Sequence, residues 1–137
     1  MSGFHEWILV EIFSDAPLYQ LVSSSSDKTP LQRFGSKRQN REAAGRLLTV
    51  LDKVRRIGVG RSIEIGLVKR LQGAIVEVKV PGSVIRALAF QENGCDALVI
   101  ISIERTHQGS GNMHRAIEVA RKKESLIKGL LAEKEGK

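Results

Sequence analysis

Apolar and polar positions follow three patterns along this 137-residue chain: short β-rich runs, helical spacing, and stretches with no period. Trp7 to Phe13 is short, rich in β-branched and aromatic residues, and closed by Ser14, Asp15 and Pro17, which predicts a strand. Residues 14–39 hold Ser23 to Ser26, Asp27, Lys28, Thr29, Pro30 and Gly35 to Arg38. These breakers read as a long loop or a partly disordered connection. From Gln39 to Ile57, Ala44, Leu47, Leu48, Leu51 and Val54 recur at three- and four-residue spacing among charged residues, which predicts an amphipathic helix. Arg55 and Arg56 in its last turn, followed by Gly58, mark its stop.

Ala74 to Val80 and Val84 to Phe90 flank Pro81-Gly82-Ser83, and a turn centred on Gly82-Ser83 pairs Val80 with Ile85 and Lys79 with Arg86. Asn93-Gly94 predicts a second tight hairpin, with Cys95 to Ile103 returning antiparallel to complete a three-stranded meander. A last helix, capped by Ser110 or Asn112, carries Met113, Ala116, Ile117, Ala120, Ile127, Leu130 and Leu131 and ends near Glu133, with Glu124 the one interruption. The order of strand, loop, helix, meander and helix predicts one α+β domain over residues 1–137, a small antiparallel sheet with helices packed on one face.

Side chains alternate faces along a strand, so the two turns also sort the charges. Val76, Val78, Val80, Ile85, Ala87, Ala89, Leu98 and Ile100 share a face apolar enough to carry helices. The expected solvent face holds Glu77, Lys79, Arg86 and Arg105, together with Ile75, Leu88, Phe90, Val99, Ile101 and Ile103, and gathers the three cations near Gly82. Like charges directly opposite on a sheet repel by up to about 1 kcal/mol, so something should compensate them. Glu77 in a solvated, ion-paired face is one answer, and a phosphate backbone is the other.

Composition favours the second. Lys and Arg number 22 against 15 Asp and Glu, a formal net charge of +7, which points to a polyanionic partner and first to nucleic acid. A single cysteine, Cys95, excludes an internal disulfide and a Cys-based zinc site. Apolar runs such as Ala97 to Ile101 fall far short of the roughly 20 residues that cross a bilayer, and Met1 to Asp15 does not resemble an export signal. A cytoplasmic protein without membrane partners is expected. Gly58-Val59-Gly60 and Gly109-Ser110-Gly111 lack the residues that complete nucleotide-binding fingerprints, and there is no His-x-x-x-His, so neither cofactor nor metal is expected.

The cluster suits metal-independent acid–base cleavage of RNA. A base takes the 2′-hydroxyl proton, cations stabilise the phosphorane, and an acid protonates the leaving 5′-oxygen. Lys79, Arg86 and Arg105 are the candidate cations, and His107 or His114 the candidate proton-transfer group. Lys69, Arg70 and Arg115 are further candidate RNA contacts. The basic last helix, with Arg121, Lys122, Lys123 and Lys128, forms a solvated face or an RNA or partner surface.

Val68-Lys69-Arg70-Leu71-Gln72-Gly73-Ala74-Ile75-Val76-Glu77-Val78-Lys79, then Ile85-Arg86-Ala87-Leu88-Ala89-Phe90, Leu98-Val99-Ile100-Ile101, Arg105 and an Ala-rich terminal helix together resemble the RelE/ParE toxin superfamily. The HigB-like, phage-related branch is the nearest. The resemblance spans Leu47 to Leu131 and rests on the order and spacing of short motifs. It implies a toxin of a type II toxin–antitoxin pair that cleaves mRNA on the ribosome and is blocked by a co-encoded antitoxin, expected to be a helix-turn-helix protein. Lys79 and Arg86 would hold the scissile phosphate, Arg105 would assist, and His107 or His114 would stand where the family places Tyr, His or Lys. Two alternatives accompany it: a ParE-like toxin that inhibits DNA gyrase by binding, and a non-toxic, basic, RNA-binding, phage-related protein.

Overall fold

The computed structural model describes residues 6–24, 28–92, 94–106 and 112–136. A two-stranded hairpin, a three-stranded meander and a long central strand build one six-stranded sheet. The strands are β1 (Trp7–Glu11), β2 (Leu18–Ser23), β3 (Val68–Gln72), β4 (Ile75–Lys79), β5 (Ile85–Phe90) and β6 (Leu98–Arg105), in the sheet order β1-β2-β6-β5-β4-β3. Neighbours are antiparallel except β2 and β6, which run parallel through Leu18↔Leu98 to Gln20↔Ile100. The helices are α1 (Pro30–Gly35), α2 (Arg41–Ile57), α3 (Val59–Glu64), α4 (Asn112–Arg121) and α5 (Glu124–Glu135). The α+β class with a mostly antiparallel sheet is as the pattern predicts.

Both sheet faces are covered, however, rather than one. Leu47, Val50, Leu51 and Val54 of α2 pack with Val76, Val78, Ile85, Ala87, Leu98 and Ile100 on the first face. On the second, Ile127 and Leu131 of α5 pack with Leu21, Phe90 and Val99. The physical reason lies in the strands: Ile75, Leu88, Phe90 and Val99 are fully buried on the face that the charges had marked as solvent-facing, and an apolar strip of that size must be covered. The last helix therefore bends. Residues 122–123 separate α4 from α5, which turns Ile127 and Leu131 onto the sheet.

The Gln39–Ile57 periodicity becomes α2, with Val50 rather than Leu48 on the buried stripe; Leu48 is exposed. Gly58 ends it at φ 92°, ψ 153°, a backbone region open essentially to glycine, and leads directly into α3. A methyl group added there meets nothing within 4 Å, so the cost of Gly58→Ala is purely conformational. We expect a loss of about 1–3 kcal/mol, read as a fall of several degrees in the thermal midpoint. Arg55 in the last turn of α2 donates to Asp52 and Asp15, at 3.0 and 2.9 Å, tying the helix to the loop after β1. Its hydrogen bonds and charge hold the Asp52 carboxyl below its ordinary value of 3.8. Stability from the Asp52–Arg55 pair within α2 is therefore present at neutral pH and lost as pH falls through the lowered value. Asp52→Asn is expected to flatten the acid limb of a thermal-midpoint-versus-pH curve, and an unchanged limb would exclude a contribution from that pair.

Residues 14–39, read as a loop, hold β2 and α1. Thr29 caps α1 through a capping box: its hydroxyl accepts from the Gln32 amide, and the Gln32 side chain accepts from the Thr29 amide, with Pro30 at the first helical position. Gln20, buried in β2, accepts from the Leu31 amide and fixes α1 against the sheet. The meander leading into β6 also has a strand more than expected, because β3 pairs with β4 around Gly73. Gly73 adopts φ 53°, and a Cβ there would lie 3.2 Å from the side chains of Arg121 and Glu124, which cross over the turn.

Candidate nucleic-acid interface

The first meander turn folds as its sequence predicts. Ser83 donates its amide to Val80, Ile85 donates its amide to the Ser83 hydroxyl, and Arg46 of α2 donates to the Pro81 carbonyl. Lys79 and Arg86 are consequently direct cross-strand partners on the α5 face. The Arg86 guanidinium donates to the Ser83 and Ile85 carbonyls, both at 2.9 Å, and lies 3.8 Å from the Glu77 carboxylate. Glu77 is only 8% exposed, so it is a buried carboxylate held beside a half-buried guanidinium. Among the described residues Lys79 makes no ion pair.

Arg105 does not join them. A β-bulge interrupts the β5–β6 ladder: Ala89 faces Ile100, Leu88 faces Ser102, and Ile101 is the extra residue. Beyond it every side chain of β6 changes face. Glu104, not Ile101, stands opposite Arg86, and Arg105 stands opposite Ile85 on the α2 face. There its guanidinium donates to the Asn40 amide oxygen at 2.8 Å, while Asn40 donates to the Phe34 carbonyl. Arg105 therefore joins the ends of α1 and β6 to the start of α2, and Ile103 likewise packs toward α2. The second turn also differs. The tight Asn93-Gly94 hairpin is replaced by a wider loop over residues 91–97, in which Cys95 donates its amide to Glu92; Asn93 itself lies outside the described residues.

The remaining candidates separate. His107, like His5, lies outside the described residues. His114 is exposed on α4 and lines a shallow groove with Gln72, Ile117, Glu118, Arg121 and Lys122, which contains neither Lys79 nor Arg86. Arg70 is engaged structurally: it donates to the carbonyls of Gly73 and Gln91, both at 3.1 Å, and to the Gln91 side chain, which in turn donates to Glu92 and Cys95. That clasp closes the 91–97 loop and gives Arg70 a structural role. Lys69 is exposed opposite Glu77. Arg115 is exposed on α4, and its side chain enters a cleft that the sequence did not reveal.

That cleft follows from the parallel pair. After Gln20 and Ile100 the two strands part; β2 continues with β1, and β6 continues with β5 alone. The gap between their carboxyl-terminal halves has a volume of about 460 Å³. Its floor is Leu21 and Val22 from β2 with Ile101, Ser102 and Glu104 from β6; α4 supplies Arg115, Ala116 and Val119, and Lys28, Pro30 and Arg33 form the α1 side. Trp7 closes one end, with the Lys123 ammonium 4.4 Å from its ring centre. A smaller groove of about 310 Å³ shares Pro30, Arg33, Ile101 and Ser102 and runs on past Lys37 to Asn40. The missed signal was the capping box at Thr29, which places Lys28 and Arg33; the bulge, which places Glu104, leaves no mark in the sequence.

Among the described residues no group of three or more His, Cys, Asp or Glu side chains is arranged to hold a metal ion, and no helix is long and apolar enough to cross a membrane. Compared with family models, characterised proteins and solved structures, the chain matches none.

Proposed function

We propose that this chain is a RelE/ParE-type, HigB-like toxin of a type II toxin–antitoxin pair, acting in the cytoplasm as a ribosome-dependent mRNA endoribonuclease held in check by a helix-turn-helix antitoxin. The observation that supports it most is the pairing of Lys79 with Arg86 beside the buried Glu77 carboxylate. Such a site has the parts that cleavage through a 2′,3′-cyclic phosphate requires. Glu77 accepts the 2′-hydroxyl proton as the 2′-oxygen bonds to phosphorus, and Lys79 and Arg86 balance the charge that builds on the phosphorane. The P–O5′ bond then breaks, and the departing oxygen takes its proton from His107, the residue after Thr106 in sequence.

Induced expression in growing cells is expected to stop growth and to produce new mRNA 5′ ends within codons at the ribosomal A site. Full growth with an unchanged 5′-end map would reject the toxin. Arrest with intact mRNA would instead support a ParE-like toxin that acts on gyrase by binding. The engagement of Arg105 with Asn40, away from the other two cations, is the observation that favours this second reading.

A further inference from the structure

We propose that the outer edge of β1 is a self-complementary interface, through which two copies of this chain join their sheets by antiparallel β1–β1 pairing. β1 and β3 are the two edges of the sheet. An edge strand presents a row of unpaired backbone groups, and proteins guard such rows with lysine, proline or bulges. β3 is guarded: it carries Lys69 and Arg70, and its ladder shifts register between Arg70 and Gln72. β1 is open. It reads Trp-Ile-Leu-Val-Glu, with neither lysine nor proline, and its pairing with β2 is regular from Trp7 to Glu11. The ladder also shows which of its backbone groups face outward. At the two ends of one register, the Ser24 amide donates to the Glu6 carbonyl and the Ile12 amide to the Leu18 carbonyl. Hydrogen-bonded pairs alternate along an antiparallel ladder, so Ile8 and Val10 use their backbone groups on β2, while those of Trp7, Leu9 and Glu11 point away from the sheet. Among the described residues no backbone group pairs with them.

These outward positions are symmetric about Leu9, which selects a second copy over any other strand. A two-fold axis at Leu9 sets Leu9 against Leu9 and Trp7 of each copy against Glu11 of the other, so that every outward amide meets an outward carbonyl. The charges match as well. Glu11, the only charged residue of the strand, is exposed, and the Trp7 ring is covered by the Lys123 ammonium at 4.4 Å from its centre. Directly opposed residues share a face, so the axis brings each Glu11 carboxylate toward Lys123 of the other copy. On the other face Ile8, 46% exposed, meets Val10 of the other copy, which removes from water an apolar side chain that the single chain leaves in it. A groove beside the strand, lined by Ile8, Leu9, Leu130 and Glu133, extends the contact onto α5. None of this depends on the proposed cleavage activity.

Sedimentation equilibrium of the full chain from roughly 1 to 200 µM is expected to show a reversible rise from the mass of one chain to twice that mass. Ile8→Lys stays exposed in the single chain but sets a charge against Val10 of the other copy, and is expected to weaken the dimer roughly tenfold. Glu11→Pro removes an outward amide and no bond to β2, and is expected to weaken it by a similar factor. Ile65→Lys, at an equally exposed apolar position just after α3, on the side of the other edge, is expected to leave association unchanged. Hydrogen exchange of the unaltered chain needs no variant to fold. The amides of Trp7, Leu9 and Glu11 are expected to exchange roughly tenfold more slowly at the upper concentration than at the lower, with those of Ile8 and Val10 slow at both. A chain that stays monomeric at the upper concentration overturns the second copy and leaves the edge to a strand of another protein. A dimer that Ile8→Lys leaves intact, or in which the outward amides exchange equally fast at both concentrations, is held together elsewhere and overturns the β1 interface.

Discussion

Arg86→Ala is expected to lower mRNA cleavage in induced cells about 10²–10³-fold, the usual effect of deleting one preorganised group that stabilises developing charge. The substitution is not structurally silent. Arg86 donates to two backbone carbonyls and stands beside Glu77, whose side chain is only 10% exposed, so its removal leaves a buried carboxylate without its cation. A loss of about 1–3 kcal/mol follows, which a domain stable by about 5–15 kcal/mol survives at growth temperature. Measuring the thermal midpoint beside the cleavage map separates the two effects. Arg86→Lys sharpens the comparison: it keeps a charge beside Glu77 but cannot reproduce both carbonyl bonds and a phosphate contact from one planar group. The expected order of cleavage is wild type, lysine, alanine. An alanine variant that is folded, expressed at wild-type level and still cleaves at the wild-type rate would remove Arg86 from the chemistry.

The sequence was informative wherever one residue type carried a unique physical demand. Gly58 could be read as the end of α2 because few residues other than glycine enter its backbone conformation. The Gly82 turn fixed the pairing of Lys79 with Arg86 because a hairpin's turn determines its register. The bulge at Ile101 offered no such signal. Leu98 to Ile101 is apolar at every position and buried or half-buried on both faces, so an inserted residue leaves the pattern unchanged. That hidden residue is enough to send Arg105 to Asn40 and Glu104 to the cleft. The second helical layer was obscured for a related reason. Lys79, Arg86 and Glu77 made their face look wet, although Ile75, Leu88 and Phe90 on the same face needed cover. In β2, the buried Gln20 interrupted an apolar run only six residues long, and its partner, the Leu31 amide, could be known only once α1 was in place.

Phe90→Ala is expected to be the most destabilising single substitution on that second layer. Phe90 is 1% exposed at the end of β5, between Ile75 and Val99 in the ladder, and in one cluster with Leu21, Ile127 and Leu131. Deleting a buried phenyl ring removes its transfer free energy and leaves a cavity that β4 and β6 cannot close without breaking their ladders, at a cost of about 3–5 kcal/mol. For a chain of this length the thermal midpoint should fall by roughly 10–20 °C. The loss is expected to couple to α5, because Ile127 fills the opposite wall of the same site. With Ile127→Ala added, the two losses should sum to less than their separate values, since contacting residues share a coupling of about 0.5–3 kcal/mol. Leu51→Ala on α2, buried in the other cluster, should add fully to Phe90→Ala because the sheet separates them. A Phe90→Ala midpoint within about 3 °C of wild type, or strict additivity with Ile127→Ala, would mean that α5 does not close this face. The cleft that depends on the adjoining α4 would then lack a fixed wall.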